Sequence, residues 1–109
     1  MSFAADSDAD FATNLAGLPA VDAIAAIELL DGERVVATIE NRPGSAASVR
    51  VYARLAQCYG GIDRKAAEEG LRLYAEHAQD ARQHPGKHPN IDRLLHLGDG
   101  SLSIRFVAA

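Results

Sequence analysis

An α+β fold is predicted: a small three-stranded, mostly antiparallel sheet, built from a hairpin and a C-terminal strand and covered by helices, in the order α-β-β-α-α-α-β. Three observations predict it. Asp31-Gly32 tolerates the positive φ of a tight turn and is flanked by alternating residues. Two later segments, ending at Tyr59 and near Gln83, carry apolar residues at helical spacing. Residues 101–106 alternate again, with Leu102, Ile104 and Phe106 facing in and Ser101, Ser103 and Arg105 facing out. The 109 residues make one domain, 1–109, and 48% apolar with 24% charged residues is a globular balance.

Residues 1–7 are small and polar and are expected to fray. A short helix follows from Asp8 or Asp10, which Asp10 can cap, with Phe11, Leu15 and Leu18 at helical spacing and Gly17 and Pro19 as its end. Residues 20–25 fit either a helical stripe or an irregular lead-in to the hairpin. In the hairpin, Ile27 and Leu29 alternate with Ala26, Glu28 and Leu30, and Val35, Ala37 and Ile39 with Arg34, Val36, Thr38 and Glu40. After the loop Asn41–Ser45, Ser45 or Ser48 caps a helix with Val49, Tyr52, Leu55, Ala56 and Tyr59 on one face, stopped by Gly60-Gly61. Asp63 caps a third helix of about five turns. Its buried face is Ala67, Leu71, Tyr74, Ala75, Ala78 and Ala81, and Gly70 inside it calls for a close crossing. His84-Pro85-Gly86-Lys87-His88-Pro89 ends it, because proline has no place in a helix interior. Asn90 caps a last short helix with Ile91, Leu94 and Leu95, and Gly98-Asp99-Gly100 turns into the final strand.

Net charge is −4, unevenly placed. Residues 1–33 hold seven acids and no base; residues 34–109 hold eleven bases, eight acids and all four histidines. The acidic segment either lies against the basic part of the same fold or a second subunit, or leaves that part for an anionic partner. A surplus of three is far from a nucleic-acid footprint, and Tyr52, Tyr59 and Tyr74 fall on apolar faces, so no nucleic-acid partner is expected. No apolar run approaches the roughly 20 residues that cross a bilayer. The N-terminus carries Asp6, Asp8 and Asp10 where a secretory leader would be basic, so a cytoplasmic location without membrane contact is expected. One cysteine, Cys58, excludes an internal disulfide; at a helix C-terminus its thiolate is disfavoured, and a semi-buried structural role is expected.

Chemistry-bearing side chains concentrate between His77 and His96. His77 and His84 are seven residues apart, about 10.5 Å along a straight helix, too far for one ion. His84 and His88 are four apart, but Pro85 and Gly86 break the helix a zinc clamp needs. A metal would require His88 or His96 to fold back beside His77 or His84; no metal and no cofactor are expected. Pro85–Asp92 is either a rigid connection or an anion loop before a helix N-terminus. In the second case Lys87, His88, Asn90, Asp92 and Arg42 line the site, and His88 is its acid/base candidate at neutral pH. Glu76 and Asp80 read as a solvated helix face.

Three stretches carry a resemblance: Ala26–Asp31, Ile39–Gly44 and, most specific, Pro85–Leu94. Across most of its length, from about Phe11 to the last strand, the chain resembles a family of short bacterial proteins catalogued only as a domain of unknown function. The resemblance implies no activity and carries no site residues over. The leading expectation is therefore a non-enzymatic homodimer acting through an interface, since a small open sheet leaves edges to cover. The alternative is binding of, or acid/base chemistry on, a small anionic ligand. An interface predicts a self-complementary apolar patch and no pocket at His88; a ligand site predicts a concavity there.

Overall fold

A computed structural model describes residues 9–109; the fraying expected for residues 1–7 lies outside the described residues. Helix α1 (Phe11–Ala16) starts at Asp10, whose side chain accepts from the Thr13 N–H at 2.8 Å. The hairpin β1 (Ile24–Asp31) and β2 (Arg34–Glu40) turns at Asp31-Gly32, with Gly32 at φ 65°. Residues 20–23 are irregular rather than helical. Helix α2 (Ala46–Tyr59) ends at Gly60 in the left-handed conformation. Helix α3 (Arg64–Tyr74) is capped by Asp63, and α4 (Glu76–Gln83), α5 (Pro89–Leu95) and β4 (Leu102–Ala108) follow.

The α+β class holds, but the sheet has four strands, not three. Gly61–Ile62, read as part of a helix stop, forms a two-residue strand β3 against Leu102 and Ser103. A Cβ on Gly61 would lie 2.9 Å from the Leu102 carbonyl oxygen, so this contact needs glycine. The order is β2-β1-β4-β3, every pair antiparallel, with β4 returning beside the hairpin as expected.

Ile27, Leu29, Ile39 and, from β3, Ile62 bring the sheet into the core and are almost fully buried. Helix α2 packs over β1 and β2, and α3 packs on α2 and α5. Because α2 lies between sheet and helices, Val51 and Ala53 are buried as well as Val49, Tyr52 and Leu55, and its apolar face is wider than the predicted stripe. Gly70 is the close crossing its position called for: its Cβ would lie 2.7 Å from Leu94 Cδ1 and 3.1 Å from Leu55 Cδ1.

Four other expectations change. A bulge at Leu29/Leu30 sets Val35 opposite Leu30 while Ala37 stays opposite Leu29. That flips Val35 off the core face and leaves it exposed. Phe106 lies opposite Ile27 in the sheet but remains 47% exposed, and no helix makes more than slight contact with β4 among the described residues. Tyr59 and Cys58, in the last turn of α2, are exposed rather than packed. The five-turn third helix is two helices, broken at Ala75, the one non-glycine residue with positive φ among those described.

Candidate functional site

The break at Ala75 builds a cleft. Ala75 sits at φ 54° and ψ −119°, a conformation natural to glycine and strained for alanine. Helix α1 is fastened across the break: Asn14 Nδ2 donates to the Leu73 carbonyl at 3.1 Å, and Glu76 accepts from the Phe11 N–H at 2.8 Å. These bonds occupy backbone and side-chain groups that the interrupted helix leaves open. The Phe11 ring stacks on Tyr74, with centroids 5.5 Å apart, and meets the His77 ring edge-on at 5.0 Å. Replacing Ala75 by glycine is expected to raise stability by about 1 kcal/mol, read as a higher urea midpoint, since glycine adopts this conformation without strain.

The opposite wall is the loop before α5. The Asp80 carboxylate on α4 takes two side chains of that loop on one oxygen: His88 Nε2 lies 2.6 Å and Lys87 Nζ 3.0 Å from Oδ2. His84 Nε2 stands 3.7 Å from the other oxygen. On the far side Asp92 accepts from the Gly86 N–H at 2.9 Å, where Gly86 has φ 92°. Pro89 opens α5 at a position where its missing N–H costs nothing. The loop is thus pinned from two helices, and His88 folds back until its ring centroid is 6.0 Å from that of His77.

The cleft between these walls has a volume of about 240 Å³. Phe11, Tyr74 and His77 line one side, Lys87, His88, Pro89, Asn90 and Ile91 the other, and Gly44, Ala47 and Ser48 the floor. At the start of α2, the Ser45 hydroxyl donates to the Glu40 carbonyl instead of capping the helix. The first-turn N–H groups of Ala47 and Ser48 are left without a side-chain cap. Ser48 Oγ accepts from the Tyr74 hydroxyl at 2.7 Å, so its own hydrogen is free to donate. Burial pushes the Tyr74 phenol well above its usual range and keeps it a neutral donor. Asn90 uses its Oδ1 to accept from Arg93 at 2.9 Å and its carbonyl to accept from Tyr52 at 2.7 Å. Its Nδ2 hydrogens have no partner among the described residues.

Of the residues expected at a ligand site, Lys87, His88 and Asn90 line the cleft. Arg42 does not reach it; its guanidinium pairs with Glu40. Asp92 lies behind the loop as its anchor. Ser48, Tyr74, His77 and Phe11 were not expected there, nor was Asp80 expected to hold the loop beside it. The (i, i+4) relation of Asp80 to His84 was the one local trace of the acid that gathers this loop. The imidazoles do converge as a metal would require, yet among the described residues no three His, Cys, Asp or Glu side chains are grouped to hold an ion.

A family model described as "Uncharacterized protein conserved in bacteria (DUF2322)" matches residues 11–106. The chain belongs to this family. The matched span includes every described strand and helix that lines the cleft, from Phe11 to α5. No curated protein matches the chain, and no solved structure does. Among the described residues of this DUF2322 chain, no helix is long and apolar enough to cross a membrane.

Hydrogen bonds from His88 first, then Lys87, hold the Asp80 carboxyl down at about 2, against an ordinary 3.8. A depressed carboxyl stabilises the fold above its unfolded value, and the contribution disappears as pH falls through the folded one. Asp80→Asn is therefore expected to lower the urea midpoint at pH 6, with the deficit shrinking below about pH 4 and closing near pH 2. A deficit constant across that range would mean that Asp80 acts through packing, not charge.

Proposed function

We propose that the protein binds a small anion in the cleft between α1, the start of α2 and the loop before α5. The observation that carries this reading is the concentration of hydrogen-bond donors there, of which Lys87 alone is already shared with a carboxylate, Asp80. The Ser48 hydroxyl, the Asn90 amide, the Lys87 ammonium and the uncapped amides of Ala47 and Ser48 line one concavity. A site rich in donors favours a negatively charged guest. Binding without turnover fits best: the Ser48 hydroxyl is partnered by a phenol, not by an imidazole that could take its proton. His88 and Asp80 form the acid/base pair that would act if a reaction does occur.

Amide chemical-shift titrations with acetate, benzoate and inorganic phosphate test this reading. Saturable shifts confined to Ala47, Ser48 and residues 87–90, weakened at least fivefold by Lys87→Met, support it. Absence of any saturable shift with all three anions overturns it.

A second reading, self-association, is favoured by β4. Beyond Ser103 its outer edge is unpaired among the described residues, and Phe106 and Val107 are 47% and 37% exposed on alternate faces. Antiparallel pairing of two β4 edges about a two-fold axis would continue the sheet and cover these side chains. This edge, and not His88, would be the homodimer interface of a bacterial cytoplasmic protein whose single thiol, Cys58, is exposed. Native mass spectrometry decides it: a dimer lost in Val107→Lys supports the edge, and a monomeric parent at micromolar concentration removes the reading.

A further inference from the structure

Resting on the anion-binding reading, we infer that the cleft takes a monocarboxylate with a compact apolar body, of the size of benzoate, in preference to phosphate. The charge in the cleft carries the first half of this. Among the described residues Lys87 is its one permanent cation, and the nitrogen lies 3.0 Å from the Asp80 carboxylate. His88 is committed to the same oxygen. A dianion brought to Lys87 would also meet the Asp80 charge, whereas a single negative charge is balanced by the donors that remain. Two planar oxygens can divide themselves between the Ser48 hydroxyl and the Asn90 amide on one side and Lys87 on the other.

The walls carry the second half. The Phe11 ring, stacked on the largely buried Tyr74, lines the cleft together with Pro89, Ile91 and the methyl of Ala47. Phosphate would dehydrate these surfaces without gaining a contact, while an apolar body is driven onto them. Size agrees: an engineered apolar cavity of about 150 Å³ holds benzene, so 240 Å³ accommodates a ring and its carboxylate.

The experiment is a titration of the full chain at pH 7 with benzoate, acetate, inorganic phosphate and benzyl alcohol, followed by amide shifts of Ser48 and residues 87–90. Benzoate is expected to bind at least tenfold more tightly than acetate, phosphate and the neutral alcohol. Lys87→Met is expected to weaken benzoate at least fivefold while leaving the thermal midpoint within a degree or two, because Lys87 is exposed and its partner Asp80 keeps His88. Phosphate binding as tightly as benzoate, or acetate equal to benzoate, overturns this inference and leaves the anion reading standing. Benzyl alcohol equal to benzoate overturns both, since charge would then play no part.

Discussion

Replacing Tyr52 by alanine is expected to cost about 3–5 kcal/mol, read from urea denaturation at neutral pH. Tyr52 is the largest of the fully buried side chains and stands in the middle of α2. Its hydroxyl donates to the Asn90 carbonyl at 2.7 Å and accepts from Arg93 Nη1 at 3.1 Å, while the Arg93 guanidinium also lies 5.8 Å from the ring centroid. One side chain therefore fills the core and ties α2 to the first turn of α5. Burial raises the phenol's pKa, opposed by Arg93, so the group stays protonated and able to donate. Tyr52→Phe keeps the volume and removes the hydroxyl's bonds to the Asn90 carbonyl and Arg93, and is expected to cost about 1–2 kcal/mol. The difference between the two variants separates packing from hydrogen bonding. Since the whole stability of a domain this size is about 5–15 kcal/mol, the alanine variant loses a large part of it. An alanine variant within about 1 kcal/mol of the parent would show that the core closes over the gap. The phenylalanine variant should also shift the Asn90 amide, because the same residue lines the cleft.

Most local signals were legible, though His88 and not Asn90 stands at the start of α5, and Ser45 precedes α2 without a side-chain cap. The Asp31-Gly32 turn, the Asp10 and Asp63 caps and the Gly60 stop each depend on residues within four positions of one another. The pairing of β4 beside the hairpin followed from counting strands that need partners. What failed depends on distant contacts. Strand β3 exists because Gly61 fits against the Leu102 carbonyl, some forty residues on. The segment around Ala75 is a good helix former by composition. Its break is stabilised by Phe11 and Asn14, which reach it from α1. The cleft divides in the same way. Lys87, His88 and Asn90 were visible because they share a proline-glycine loop. Asp80 looked like a solvated acid, and only the folding back of that loop makes it the group that gathers Lys87 and His88. Arg42 was placed by its proximity to a glycine loop, but Glu40, two residues away on β2, is the nearer partner.

Gly70→Leu is expected to lower stability by about 3 kcal/mol, against a change of under about 1 kcal/mol for Gly70→Ala. Intrinsic propensity alone predicts the reverse of a loss, since leucine and alanine both favour a helix over glycine by nearly 1 kcal/mol. The crossing decides otherwise. A Cβ at this position already lies 2.7 Å from Leu94 Cδ1 and 3.1 Å from Leu55 Cδ1, so α5 and α2 touch α3 at the same point. One methyl can be met by a small rotation of the Leu94 side chain, and the propensity gain offsets that displacement. A leucine has no such room: Leu94 is 3% and Leu55 0% exposed, and both are already packed. The helices must then separate. Because α5 begins with the residues that follow Lys87 and His88, separation also moves the cleft wall away from Tyr74 and His77. Loss of stability and loss of benzoate binding should therefore appear together in Gly70→Leu, whereas Gly70→Ala retains both. A leucine variant as stable as the parent would mean that the three helices do not meet at Gly70, and the argument that fixes the position of α5 relative to α3 would fall with it.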